Sequence, residues 1–135
     1  MSASARRLSA AGALAIIVVC GLVVHALPGS AVTDIAGDAL YACAAYALIV
    51  ALAPGLRPRV VSLIAVAWCF AIEFLQLTSI PGAVAGVVPP ARLVLGSGFD
   101  PRDLLVYGAA ALVAGLVDAG VTRAVRSRRA APRPR

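Results

Sequence analysis

An all-α integral membrane fold, a four-helix bundle with both termini in the cytoplasm, is predicted by three features of this 135-residue sequence. The first is composition: 61% of the residues are apolar, 13% are charged and the mean hydropathy is +0.96. A water-soluble domain of this size leaves too much surface in solvent to hide so much apolar side chain. The second is a set of four apolar segments close to the roughly 20 residues that a helix needs to cross about 30 Å of hydrocarbon. The third is arginine, which gathers on alternate connections.

The first segment, residues 8–27, is uncharged, follows Arg6-Arg7 and stops at Pro28-Gly29. Two readings of it stay open: a permanent span, and a signal peptide cleaved near Ser30-Ala31. The second segment, residues 39–53, ends at Pro54-Gly55, and the third covers residues 60–77. The fourth, residues 104–121, opens after Asp100-Pro101-Arg102-Asp103. There a capping carboxylate, a proline in the first turn and an acid at the positive dipole end mark a helix start. Between the third and fourth segments, Pro81, Pro89 and Pro90 suggest the one sizeable non-helical stretch, with the apolar run 91–96 lying at the interface or dipping back in. Residues 1–122 form the transmembrane domain and residues 123–135, with six arginines, a basic cytoplasmic tail.

Arg6, Arg7, Arg57, Arg59 and the six tail arginines fall on one side of such a bundle, against Arg92 and Arg102 on the other. Short cytoplasmic loops hold the positive charges, which orients the chain in the inner, or plasma, membrane as a multi-pass protein. The outer face then carries Asp34, Asp38, Asp100 and Asp103. In this setting a net charge of +6 is a juxtamembrane feature and nucleic acid is not an expected partner. All twelve basic residues are arginine, a bias that points to a GC-rich genome. Cys20, Cys43 and Cys69 are odd in number, widely spaced and within apolar runs, so they read as buried small residues. With no HxxxH spacing, glycine-rich phosphate loop or CxxC, no metal site and no cofactor is predicted. His25 reads as an interfacial residue.

Polar residues inside apolar spans carry the functional expectation. Glu73 lies well inside the third segment, where a charged side chain costs a few kcal/mol. Gln76 follows on the same helical face. Asp38 with Tyr41, and Asp103 with Tyr107, enter from the same outer side at a similar depth, and Arg92 and Arg102 are the expected counter-charges. The competing structural readings are capping for Asp38, Asp100 and Asp103, and a simple bond from Glu73 to Arg92. Asp118, near the inner boundary, is expected to pair with Arg123 or its neighbours. Trp68 is read as core, and Ala111, Gly115 and Ala119 as a close-approach face within the monomer or between copies.

Three stretches together resemble a known family: Gly37-Asp38-Ala39-Leu40-Tyr41, then Ala71-Ile72-Glu73-Phe74-Leu75-Gln76-Leu77, then Leu93-Val94-Leu95-Gly96-Ser97-Gly98-Phe99 leading to Asp103-Leu104-Leu105-Val106-Tyr107. They are similar to the uncharacterised bacterial family catalogued as domain of unknown function 2809. More distantly the chain resembles VanZ-like membrane proteins, whose pattern of ExxQ, a loop arginine and a later aspartate is met by Glu73, Gln76, Arg92 and Asp103. Tyr107 stands where that pattern has asparagine. The resemblance implies a four-helix membrane protein with an extracytoplasmic polar cluster. From it and from the residues, the expected function is a non-enzymatic envelope protein whose cluster of Asp38, Tyr41, Glu73, Gln76, Arg92, Asp103 and Tyr107 binds an amphiphilic lipid or cell-wall precursor. The alternatives are a membrane-embedded enzyme acting on envelope lipids, with Glu73 as acid or base, and a small oligomeric proton-coupled transporter. A homo-oligomer is compatible with each.

Overall fold

The computed structural model describes residues 2–96 and 98–130, the last two by backbone alone. In chain order the elements are α1 (Ala3–His25), α2 (Ala31–Leu52), α3 (Pro58–Leu75), α4 (Ile80–Val87), a 3-10 turn (Pro89–Ala91), α5 (Arg92–Leu95) and α6 (Pro101–Ala130). No strand occurs among the described residues. Four helices, α1, α2, α3 and α6, are long and apolar enough to cross a membrane. The side chain of Arg6 near the start of α1 meets Asp118 in the C-terminal half of α6, so both described termini lie at one end of the bundle. That end also holds the α2–α3 turn.

Local chemistry explains each start. Ser2 caps α1, accepting from the Ala5 amide at 3.2 Å. Ser30 and Thr33 form a reciprocal capping box at α2, with Ser30 Oγ accepting from the Thr33 amide at 3.2 Å and Thr33 Oγ1 from the Ser30 amide at 2.8 Å. This box starts α2 at Ala31, eight residues ahead of the expected segment. Asp34 and Asp38 are therefore in the first two turns of a helix and not in a connection. Asp38 is too far from the N-terminus to cap it. Proline opens α3 and α6, where its missing N–H would have had no intrahelical partner. Asp100 caps α6 by accepting from the Arg102 amide at 2.9 Å.

The stretch between α3 and α6 departs from expectation, because most of it is helical. Pro81 sits in the first turn of α4, where it interrupts no helical hydrogen bond, and Pro89-Pro90 begin the 3-10 turn. The expected tail departs as well: α6 runs without a break through Ala130, so Arg123, Arg126 and Arg128 are helical residues. Alanine and arginine propagate helix well, and cations suit its C-terminal end. Residues 131–135 of that tail, with Arg133 and Arg135, lie outside the described residues.

The helices α2, α3 and α6 pack on one another, and α1 lies along the outside of α2. In α1 the partly covered positions are Ala10, Leu14, Ile17, Gly21 and Val24, a four-three spacing that keeps one seam on the neighbour. The rest of α1 is exposed, including Leu8, Ile16, Val19 and Val23, as suits a helix bathed in lipid. In α3 the buried stripe is Val61, Ala65, Cys69, Ile72 and Glu73. One cluster joins Tyr46, Val50, Val61, Ala65 and Ala111; a second joins Ala42, Cys69 and Tyr107. Small side chains dominate because lipid gives apolar surfaces no reason to associate, so close approach and dispersion must do it. The helices α3 and α6 approach closely where Ser62 Oγ donates to the Ala111 carbonyl at 3.0 Å and occupies the place a Cβ on Gly115 would need. The small-residue face of α6 thus serves packing within the chain.

Arg6, expected only to anchor the first span, is buried (8% exposed) and ties three elements together. Its guanidinium donates to the Pro54 carbonyl at 2.5 Å, to the Leu56 carbonyl at 2.6 Å and to both carboxylate oxygens of Asp118. Asp118 also accepts from the Tyr46 hydroxyl at 2.8 Å and the Thr122 hydroxyl at 3.3 Å. The expected partner of Asp118, Arg123, is displaced because it lies five positions along the same helix, whereas helical neighbours are three or four apart.

Candidate functional site

The opposite end of the bundle gathers acid. Asp38 is two turns into α2, Glu73 is in the last turn of α3, and Asp103 is in the first turn of α6. The antiparallel order of the helices brings these three starts and ends to one level. Glu73 is fully enclosed (0% exposed). Its Oε1 accepts from the Asp100 amide at 2.6 Å, and its Oε2, equally buried, has no hydrogen-bond partner. Asp38 and Asp103 lie side by side, and Asp103 Oδ1 is a second buried oxygen without a hydrogen bond. Tyr107, one turn on from Asp103, is buried among the three carboxyls and donates to Asp38 Oδ1 over a long 3.4 Å.

A covering layer comes from the stretch between α3 and α6. Tyr41 packs its ring against Tyr107, with centroids 6.1 Å apart, and donates its hydroxyl proton to the Val94 carbonyl at 3.0 Å. The same hydroxyl accepts from Trp68 Nε1 at 3.0 Å. Trp68 is half exposed (49%), contrary to a core role; its indole N–H needs a partner and finds Tyr41 by lying along the bundle surface. Gln76 lies against Gly96, whose φ of 68° and ψ of −169° belong to a region open essentially to glycine alone. A Cβ at Gly96 would collide with the Gln76 amide. Phe99 stacks on Phe74, at 6.3 Å between centroids, beside the Asp100 amide that serves Glu73.

Of the seven residues expected to form the cluster, Asp38, Tyr41, Glu73, Gln76, Asp103 and Tyr107 come to this end of the bundle around the same covering segment. Arg92 does not join them: its side chain is exposed and makes no ion pair among the described residues. It cannot serve as the counter-charge of Glu73, because its place at the start of the short α5 turns it to the surface. Arg102 is engaged instead with Asp100 at 3.4 Å and lies 3.8 Å from Asp103. Three carboxyls therefore share a confined space in which none of the described ion pairs reaches Asp38 or Glu73. Trp68, read from the sequence as core, the Asp100 amide and Phe99 complete the surroundings, and the sequence assigns none of the three to the cluster. The only signal for Trp68 was its indole N–H, which a mid-span position leaves in need of an acceptor.

Chemically, the arrangement is rich in acceptors and poor in donors. Buried oxygens without donors favour a group that brings N–H or O–H, and the low dielectric strengthens any such contact. Among the described residues no group of three His, Cys, Asp or Glu side chains is placed to hold a metal ion.

No curated protein matches the chain, and no solved structure does. The family described as Protein of unknown function (DUF2809) matches over residues 27–111, a range that holds Asp38, Tyr41, Glu73, Gln76, Arg92, Asp103 and Tyr107. With more than half of its length inside that match and the acidic cluster wholly within it, the chain belongs to the DUF2809 family.

Proposed function

We propose that this protein is a multi-pass component of the bacterial plasma membrane whose acidic end faces away from the cytoplasm and binds the polar head of an amphiphile, a lipid or a cell-wall precursor. The observation that carries the reading is the fully buried Glu73, with Oε2 lacking any donor, beside a second such oxygen on Asp103. An acid inside a span costs a few kcal/mol, and an unsatisfied buried acceptor about 1–3 kcal/mol. Hydroxyl or ammonium groups of a head group would relieve both costs. The covering segment supports an amphiphile in particular. Ile80, Val84, Val87, Val88, Leu93 and Val94 are exposed on it, so a molecule entering beneath would keep its tail in lipid while its head met the carboxyls. Orientation is supported by arginine, eight of the described residues on the side of the termini against two on the other.

The test compares the wild-type chain with Glu73→Gln and Asp103→Asn, each purified from its own membranes in mild detergent, by native mass spectrometry of co-purifying envelope amphiphiles. The wild type is expected to carry a bound species at about tenfold higher occupancy than either variant, corresponding to about 1.4 kcal/mol. Equal occupancy in folded variants would refute the proposal.

A further inference from the structure

The arginine-rich end has a site of the opposite sign. α6 is 30 residues long, about 45 Å at 1.5 Å per residue, whereas the hydrocarbon layer is about 30 Å thick. Its last turns therefore outrun α3, which starts at Pro58. Below the contact of Ser62 with Gly115, the same face of α6 continues as Ala119, Thr122, Arg123 and Arg126, at helical three- and four-residue spacing. Between this face and the start of α3 is a cavity of about 260 Å³ lined by Arg57, Pro58, Ala119, Thr122, Arg123 and Arg126. A second hollow, of about 270 Å³, shares Arg57, Pro58, Thr122 and Arg126 and runs on toward Ser2.

No acid of the described chain is left to meet these cations. Five of the six acidic residues, Asp34, Asp38, Glu73, Asp100 and Asp103, lie toward the other end. The sixth, Asp118, is held by Arg6, Tyr46 and Thr122. Arg57, Arg123 and Arg126 are exposed and take part in none of the described ion pairs. The start of α3 adds to the excess, having no side-chain cap and no acid in its first turn, so the positive end of its dipole is uncompensated. The depth is right for phosphate as well. Arg123 is 20 residues, about 30 Å, along α6 from Asp103, which places it a hydrocarbon thickness away, at the head-group layer.

We propose that this cavity is a discrete binding site for the phosphate of an anionic membrane lipid, held by Arg57 from α3 and by Arg123 and Arg126 from α6. The arginine forks supply paired donors to phosphate oxygens, and the apolar wall of Pro58 and Ala119 receives the glycerol and upper acyl carbons. The site is independent of the acidic cluster and of any ligand bound there.

The full-length protein is incubated with mixed micelles containing equal amounts of phosphatidylglycerol and phosphatidylcholine with identical acyl chains, and retained lipid is read by native mass spectrometry. The wild type is expected to retain phosphatidylglycerol at least about tenfold over phosphatidylcholine, a preference worth about 1.4 kcal/mol. Arg57→Gln/Arg126→Gln should bring the ratio to within about twofold of unity, whereas Arg7→Gln/Arg128→Gln, which removes the same charge outside the cavity, should leave it unchanged. Equal losses in the two double variants would replace the site by diffuse surface attraction and overturn the proposal, as would no preference in the wild type. Inorganic phosphate in large excess provides the second arm: displacement of the lipid would assign the cavity to a free anion and overturn the lipid assignment. Should Arg57→Gln disturb the start of α3, Arg123→Gln/Arg126→Gln, on exposed turns of α6, gives the same comparison.

Discussion

Arg6 and Asp118 show how much one pair of side chains can decide in a small membrane bundle. Breaking a buried ion pair by removing one partner leaves an uncompensated charge and costs about 3–5 kcal/mol, while replacing both by apolar groups of similar size is often neutral. Arg6→Ala and Asp118→Ala are each expected to lower stability by about 3 kcal/mol, and Arg6→Met/Asp118→Leu by less than either, in equilibrium unfolding of the micellar protein. Additive losses in the double variant would show that the two residues do not act as a pair. This pairing was not legible in the sequence. Its members are 112 positions apart, and a membrane-flanking arginine already had a sufficient explanation as a topology anchor. Glu73 was legible for the opposite reason, because an acid within an apolar run has no ordinary explanation. The absence of Arg92 from its side was not, since nothing in the residue order says which way a short loop helix turns its side chain.

At the scale of elements, the apolar runs announced the four long helices because a bilayer selects for length and composition. The start of α2 escaped notice because Asp34 and Asp38 interrupt the apolar run and look like loop residues. The Ser30–Thr33 box was the signal that could have placed it. Proline in 78–103 misleads in the same way, since it reads as a breaker where it occupies first turns. Between elements, the contact of α3 with α6 turns on one missing Cβ. Gly115→Ala should drive a methyl group into Ser62 Oγ and destabilise the bundle by about 1–3 kcal/mol. Adding Ser62→Ala removes the obstructing oxygen and should restore most of the loss, less about 0.6 kcal/mol for the hydrogen bond to Ala111. The cycle is read by thermal unfolding, and a Gly115→Ala variant as stable as wild type would mean that the helices are further apart than described.

Across the whole molecule the two ends differ in sign, with acid gathered where α2 and α6 begin and arginine where α1 begins and α6 ends. Under the proposed orientation, a membrane-impermeant maleimide applied to intact cells should label Gly29→Cys and spare Gly55→Cys, in a chain whose three native cysteines are replaced by alanine. A Cβ at either position meets nothing within 4 Å, so neither change disturbs packing. The reverse labelling pattern would turn the proposed site toward the cytoplasm.

The Arg6 clamp also has a consequence for biogenesis. A ribosome delivers the chain from its N-terminus, so α1 enters the bilayer while its acceptors at Pro54 and Leu56 are still unmade and Asp118 is more than a hundred codons away. Until then the guanidinium must wait at the water interface, and α1 can rest on α2 through its apolar seam alone. Closure of the clamp thus waits for Asp118: a nascent chain halted before it would leave both bonds from Arg6 to Asp118, and the one from Tyr46, unmade at that end of the bundle.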